Sequence, residues 1–163
     1  MSLIRDTHGT YRTKRTARVT ESDILEAAES ILRQRVERLG NLSSPSDARS
    51  FLRMRLGGLL AEQFHVVWLD NRHKVIAVDH LFSGSIAGAS VHPREVVRAA
   101  LKHNAAAALL AHNHPSGTTE PSQADRDITH ELTRALSLIE VRVLDHIIVG
   151  GNETTSMAER GLL

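Results

Sequence analysis

The sequence predicts an α/β domain built on a mixed β-sheet flanked by helices. Three observations carry that prediction. Short apolar or β-rich runs alternate along most of the chain with longer amphipathic stretches. Residues 105–111, Ala-Ala-Ala-Ala-Leu-Leu-Ala, are apolar without interruption, as in a buried strand. A chain of 163 residues, 41% hydrophobic and 24% charged, is ordinary for one globular domain with a sizeable core.

The elements follow in order. The first 18 residues hold Arg5, Arg12, Lys14, Arg15 and Arg18 against Asp6 alone, without apolar periodicity, and read as a disordered basic arm. Thr20-x-x-Asp23 is a capping box that opens a helix to about Leu39. Its stripe of Ile24, Leu25, Ala28, Ile31, Leu32, Val36 and Leu39 calls for packing on the main domain or on a second subunit, and Gly40 ends it. A second helix starts at Ser44-Pro45-Ser46-Asp47, with a cap, a proline in the first turn and an acid, and runs to Leu56 before Gly57-Gly58. Phe64–Leu69 and Lys74–Asp79 form a hairpin across the turn-like Asp70-Asn71-Arg72-His73. His92-Pro93 opens a third helix through Lys102, ahead of the strand at 105–111. A fourth helix runs from Ser122 to about Leu138, and two strands lie near Val141–Leu144 and Ile147–Val149. The chain thus divides into an arm with its amphipathic helix, residues 1–44, and a main domain, residues 45–163.

Composition removes several classes of function. Zero cysteines exclude disulfides, thiolate zinc sites and the cysteine-ligated zinc deaminases. No apolar stretch approaches the roughly 20 residues that cross a bilayer, and the basic, Thr-rich start lacks the apolar core of a secretory signal. A cytoplasmic protein without a membrane partner is the expectation. A net charge of +1 gives no global drive toward nucleic acid, although the basic arm could touch phosphates.

The chemistry concentrates at residues 111–125, Ala-His-Asn-His-Pro-Ser-Gly-Thr-Thr-Glu-Pro-Ser-Gln-Ala-Asp. In a strand, residues i and i+2 point to the same side, so His112 and His114 converge. A Pro/Gly loop can fold the carboxylate of Asp125 back toward both rings. Two imidazoles and one carboxylate suit Zn²⁺, and three protein ligands leave the open fourth position of a catalytic zinc. With 10 histidines in the chain, chance alone supplies roughly half a His-x-His match. Requiring Ser122 and Asp125 at their spacings lowers that expectation to roughly a few per thousand. Ser122-x-x-Asp125 is also a capping box, worth about 1 kcal/mol without any metal, and a cap would orient Asp125 rather than exclude it as a ligand. His65, His73, His80, His103 and His130 have no partner at metal-ligand spacing and read as surface or core residues, while His92 reads as a helix entry. Asp145-His146 is either a pair behind the metal ligands or a pin between strands.

His112-x-His114, Ser122 and Asp125 match the motif of the JAMM or MPN-plus metalloproteases. His-Asn-His-Pro-Ser-Gly (112–117), Pro-Ser-x-x-Asp (121–125), Val-His-Pro-Arg-Glu (91–95), Asp-His-Ile-Ile-Val-Gly (145–150) and the terminal Glu-x-Gly-Leu-Leu (159–163) together resemble the RadC family from about Pro45 to Leu163. The resemblance implies a JAB/MPN architecture with a cytidine-deaminase-like sheet and one Zn²⁺ per chain on His112, His114 and Asp125. It implies Glu62, in the stretch Glu62-x-Phe64-x-Val66, as the general base, and Ser122 as a hydrogen-bond donor to the developing oxyanion. The reaction implied is hydrolysis of an amide bond, with a peptide or protein as substrate. Ser83-Gly84-Ser85 resembles the family's loop facing the cleft, or is an ordinary turn. Asn113 departs from the serine or threonine of many JAMM proteases and points away from the metal face. RadC proteins often carry a helix-hairpin-helix module before the metal domain. One amphipathic helix stands there in this chain, so the DNA-binding inference does not carry over, and the family's DNA-repair label has no physical basis in these motifs.

Two functional classes follow. A zinc hydrolase needs the three ligands and Glu62. A non-catalytic binding protein would use the same fold to hold DNA or a DNA-repair protein partner, with affinity falling steeply with salt through the basic arm. The intact ligand set plus the acid favours the enzyme.

Overall fold

The computed structural model describes residues 3–5, 11–13, 20–38, 45–84 and 91–163. At the N-terminus, β1 (Leu3–Arg5) and β2 (Tyr11–Thr13) pair antiparallel, with Ile4 opposite Arg12. This corrects the expectation of a disordered arm for those six residues. Leu3-Ile4 and Tyr11 through Thr13 have good strand propensity, but three-residue strands are too short to show a period among so many basic residues. The rest of the expected arm lies outside the described residues, as does Ser85 of the Ser83-Gly84-Ser85 loop.

The capping box that opens α1 (Glu21–Arg38) is formed: Thr20 N donates to Asp23 Oδ2 at 2.9 Å and Asp23 N to Thr20 Oγ1 at 3.2 Å. The helix packs on α2 (Pro45–Leu56), but not through the leading residues of its expected stripe. Ala27 is buried, whereas Ile24 and Leu25 are 55% and 53% exposed. Among the residues whose side chains are described, Ala28 and Ile31 of the stripe are partly buried, and an Arg55–Glu29 ion pair at 2.5 Å joins the two helices. Leu32, Val36 and Leu39 lie outside the residues whose side chains are described.

In α2, Ala48, Phe51, Leu52 and Leu56 recur at helical spacing and are buried against the main sheet. That sheet begins with β3 (Gln63–Leu69) and β4 (Val75–Ser83), the expected hairpin. Asp70 Oδ1 accepts the backbone N–H groups of Arg72 and Lys74 at 2.8 Å each, and His73 takes φ +59°. β4 continues four residues past Asp79 because it is an edge strand, where His80 can sit at the surface without breaking the ladder. Next come α3 (Pro93–His103), closed by Asn104 at φ +50°, and β5 (Ala107–Asn113).

Helix α4 (Gln123–Ser137) follows, with Ser122 as its N-cap. The two strands expected near residues 141–149 are one, β6 (Arg142–Gly150), followed by β7 (Glu153–Ser156), which was not expected. Asp145 suggested a break because an acid is foreign to a strand interior. Here it is satisfied: its Oδ1 accepts His146 N at 2.7 Å and Ala158 N at 3.0 Å, and its Oδ2 accepts Ser156 Oγ at 2.6 Å. The irregularity is absorbed as a bulge, since Val143 and Asp145 face consecutive residues Ala108 and Leu109. The short, polar β7 carries no apolar alternation, hence no signal in the sequence.

The strand order is β4-β3-β5-β6-β7, antiparallel except for β5 and β6, so the fold is the expected α/β sandwich with a mixed sheet. Every residue of β5 is buried. Leu109 and Ala111 face α2 together with Val67, Leu69 and Ile147, whereas Ala108 and Leu110 face α3 and α4 with Phe64, Trp68 and Leu132. Each large side chain so enclosed contributes about 1.5–3 kcal/mol, which makes the central strand a rigid base for whatever its C-terminal end presents. No described helix is long and apolar enough to cross a membrane.

Candidate metal centre

The C-terminal end of β5 presents His112 on the α3/α4 side of the sheet. His112 pairs in register with Phe64 of β3 and Ile148 of β6, and its ring lies nearly parallel to that of Phe64, 6.4 Å between centroids and 13° between planes. Strand alternation carries His114 to the same side. Its N–H donates to Val149 O at 2.8 Å, and Gly117 N closes a turn on His114 O at 3.0 Å. Pro115 stands at the second position of that turn and Gly117, at φ +83°, at the fourth, the residues such a turn favours. Gly150 lets the turn lie against β6: a Cβ there would stand 2.4 Å from Gly117 O and 2.9 Å from Thr118 O.

Asp125 arrives from the first turn of α4, and the capping box fixes it. Ser122 N and Ser122 Oγ both donate to Asp125 Oδ2 at 2.7 Å, and Asp125 N donates to Ser122 Oγ at 3.2 Å. The cap spends one carboxylate oxygen and leaves Oδ1 facing His112 Nε2 at 3.1 Å. His114 Nε2 stands 2.9 Å from His112 Nε2 and 3.4 Å from Asp125 Oδ2. Atoms bound tetrahedrally at 2.0–2.1 Å to a common zinc stand about 3.3 Å apart, so the three groups are spaced as ligands of one ion with little rearrangement. His112, His114 and Asp125 could therefore hold a metal ion. His112 and Asp125 are fully enclosed, and the His114 side chain retains 14% exposure, which sets the open side of the site.

The charges agree with a cation-seeking site. Burial alone would raise the Asp125 pKa, but hydrogen bonds from His112 and His114 in their protonated forms and from Ser122 outweigh it and hold the carboxyl well below its usual range. The hydrogen bond with Asp125 raises the His114 pKa more than partial burial lowers it, and the charge of Glu62 contributes in the same direction. Glu62 is half-buried, directly ahead of β3, and close enough to act on His114.

Two further groups lie behind the ligands. His112 Nδ1 meets His146 Nε2 at 2.8 Å, His146 Nδ1 meets Thr129 Oγ1 at 2.6 Å, and Thr129 Oγ1 donates to Asp125 O at 2.5 Å. His146 is fully buried; that burial, followed by the nearby charge of His112, pushes its pKa far down and keeps it neutral. Of the two readings of Asp145-His146, Asp145 pins the sheet and His146 turns to the ligands. On the opposite face of β5, Asn113 grips the segment that carries Glu62. Gln63 N donates to Asn113 Oδ1 at 2.8 Å, and Asn113 Nδ2 donates to Ala61 O at 3.1 Å and Leu59 O at 3.4 Å. Thr129 and the Asn113 clamp were missed in the sequence. Thr129 lies one helical turn after Asp125, a spacing that could have flagged it, whereas nothing in the sequence announces the clamp.

Among the remaining histidines, His65 is buried on the α2 side of the sheet, His103 Nε2 pairs with Asp79 Oδ2 at 2.7 Å, and His80 bonds Phe82 O at 2.9 Å. None of them joins the cluster.

An α/β sandwich that gathers two imidazoles and one carboxylate at the end of its central strand defines a domain with a candidate metal-binding centre. A family model described as a RadC-like JAB domain matches residues 42–162, and the chain belongs to that family. Curated relatives bear the name UPF0758 protein. This chain is 53% identical over 139 residues to one from Halorhodospira halophila and 55% identical over 140 residues to one from Thioalkalivibrio sulfidiphilus. A Vibrio cholerae relative is 51% identical over 138 residues. These matches cover 85–86% of this chain and 62% of each relative, so the chain spans about three-fifths of their length.

Proposed function

We propose that the chain is a zinc-dependent metallohydrolase of the JAMM type that cleaves an amide bond in a peptide or protein. The observation that carries this reading is the spacing of the three groups: His112 Nε2 lies 2.9 Å from His114 Nε2, with Asp125 Oδ1 3.1 Å from the first ring and Asp125 Oδ2 3.4 Å from the second, and the charge of Glu62 acts on His114. The donor set of two nitrogens and one oxygen, with no sulfur, suits zinc. Zinc held by three protein ligands supplies Lewis acidity, polarising a carbonyl and lowering the pKa of water toward about 7.

The chain's own groups do the rest. Glu62 takes one proton from the attacking water and returns it to the amine as the carbon–nitrogen bond breaks, so that one water is consumed and an acid and an amine are released. Asn113 holds the backbone on both sides of Glu62, which limits how far the base can wander. Ser122, exposed at the rim, holds Asp125 through its hydroxyl. To serve as oxyanion donor it turns that single hydrogen from Asp125 Oδ2 toward the substrate.

The test is metal analysis of protein purified without a histidine tag, paired with hydrolysis of a random peptide library read by mass spectrometry. About one zinc per chain is expected. Glu62→Gln should keep the metal and lose cleavage. A protein that carries no tightly bound zinc and takes up none would refute the reading.

A further inference from the structure

Both candidate ligand imidazoles have their far nitrogen tied, directly or through a relay, to a backbone carbonyl. A carbonyl can only accept, so each tie has a fixed direction. His114 Nδ1 lies 3.0 Å from Thr118 O and must carry a hydrogen, which leaves Nε2 of the neutral ring bare. The His112 relay is longer and resolves the same way. Thr129 Oγ1 touches Asp125 O at 2.5 Å and Met157 Sδ at 3.5 Å, neither of which can donate. The threonine hydrogen therefore goes to one of them, and the 2.6 Å contact with His146 is one in which the hydroxyl accepts. His146 Nδ1 then carries the hydrogen and its Nε2 is an acceptor. His112 Nδ1 must donate across the 2.8 Å contact, and His112 Nε2 is bare.

We propose that the fold presets both imidazoles in the tautomer that presents a bare Nε2 to the metal, with His146 and Thr129 as positioning residues that transmit the setting from the Asp125 carbonyl to His112. The setting rests on the proposed metal role of the site. It links all three ligands, because the carbonyl that orders His112 belongs to Asp125, the third of them. With both rings neutral, the two Nε2 lone pairs and the carboxylate face one another at 2.9–3.4 Å, an arrangement that a proton or a cation satisfies. Outer partners that fix a ligand imidazole typically change metal affinity by 10–100-fold when removed.

The test begins with ¹⁵N–¹H NMR of the histidine side chains in metal-free protein near pH 8, above the ordinary imidazole range. His112, His114 and His146 should all be protonated at Nδ1. Thr129→Val keeps the shape of the side chain and removes the acceptor. It should move the His146 hydrogen to Nε2, force His112 into the opposite tautomer and weaken zinc binding by roughly 10–100-fold in a chelator competition. Thr129→Ser should restore both readouts. A His112 protonated at Nε2 in the parent protein overturns the proposal, whether or not the valine variant folds. So does a folded Thr129→Val with parental tautomers and zinc affinity. Tautomers and affinity as stated, with no peptide hydrolysed, support the presetting and sink the hydrolase reading alone.

Discussion

Replacing Asn113 by alanine should separate the base from the metal. Asn113 is 2% exposed and lies between the two metal-site histidines in sequence, yet all its hydrogen bonds point away from them. Truncation removes the acceptor of Gln63 N at 2.8 Å and the donor to Ala61 O at 3.1 Å. The Leu59 O contact at 3.4 Å is too long to count for much. The two carbonyls lie beside exposed residues and can take water, but the Gln63 N–H sits against a buried strand, and stranding it costs about 1–3 kcal/mol. With the second bond the total comes to about 2–3 kcal/mol, which for a chain of this size lowers Tm by roughly 4–12 °C. Hydrogen exchange should accelerate at residues 59–63 and stay unchanged at residues 107–112. Zinc affinity should remain within about twofold, because neither imidazole loses a contact. Hydrolysis should fall by about 100-fold, the scale of a 1 Å displacement of a catalytic group. Asn113→Asp keeps the shape and the acceptor but turns an oxygen onto two carbonyls, and should lose at least as much. Parental stability in Asn113→Ala, or loss of zinc together with loss of hydrolysis, would refute the reasoning.

Other substitutions probe the remaining supports. Ser122→Ala should cost about 1 kcal/mol of stability through the lost cap and weaken zinc binding by roughly tenfold through the freed Asp125 Oδ2, as measured by denaturation and chelator competition. Gly150→Ala places a methyl 2.4–2.9 Å from the backbone of Gly117 and Thr118, so the turn that orients His114 must shift. Stability should fall by about 1–3 kcal/mol and zinc affinity with it, and parental affinity would show that the turn has slack. His65 is neutral in the fold, its pKa pushed down to about 3 by burial, then by Arg55 and His80. The unfolded chain takes up that proton near pH 6.5, so the folded state loses stability as pH falls below 6.5, down to about 3. Between pH 7 and pH 5 the His65 share is at most about 2 kcal/mol, and urea titrations of His65→Gln should show a correspondingly flatter acid limb than the parent.

Helix ends and the central strand were legible because their signals are local. Thr20-x-x-Asp23 and Ser122-x-x-Asp125 mark starts through side chains that bond within three residues, and residues 105–111 need no partner to look buried. The pairing of His112 with His114 was legible for the same reason, since alternation in β5 is enough to bring them to one side. What could not be read depends on partners far away in the chain. Whether Asp145 breaks a strand is decided by Ser156 and Ala158, and the face that α1 buries is decided by how α2 meets it. The partner of His146 lies 34 residues away in β5, and that of Asn113 lies 50 residues away at the start of β3. Spacing rules carry no information about either.

The three residues His112-Asn113-His114 therefore do two jobs with one alternation. Odd and even positions of a strand face opposite sides of the sheet, so the two histidines meet Asp125 and Glu62 on one side while Asn113 reaches the 59–63 segment on the other. Since β5 is enclosed throughout, neither face can shift without the other. The distance between the candidate metal ligands and the proposed base is thus set through the thickness of the sheet rather than across the open cleft. A side chain at position 113 that cannot both donate and accept should leave the metal in place and the base adrift.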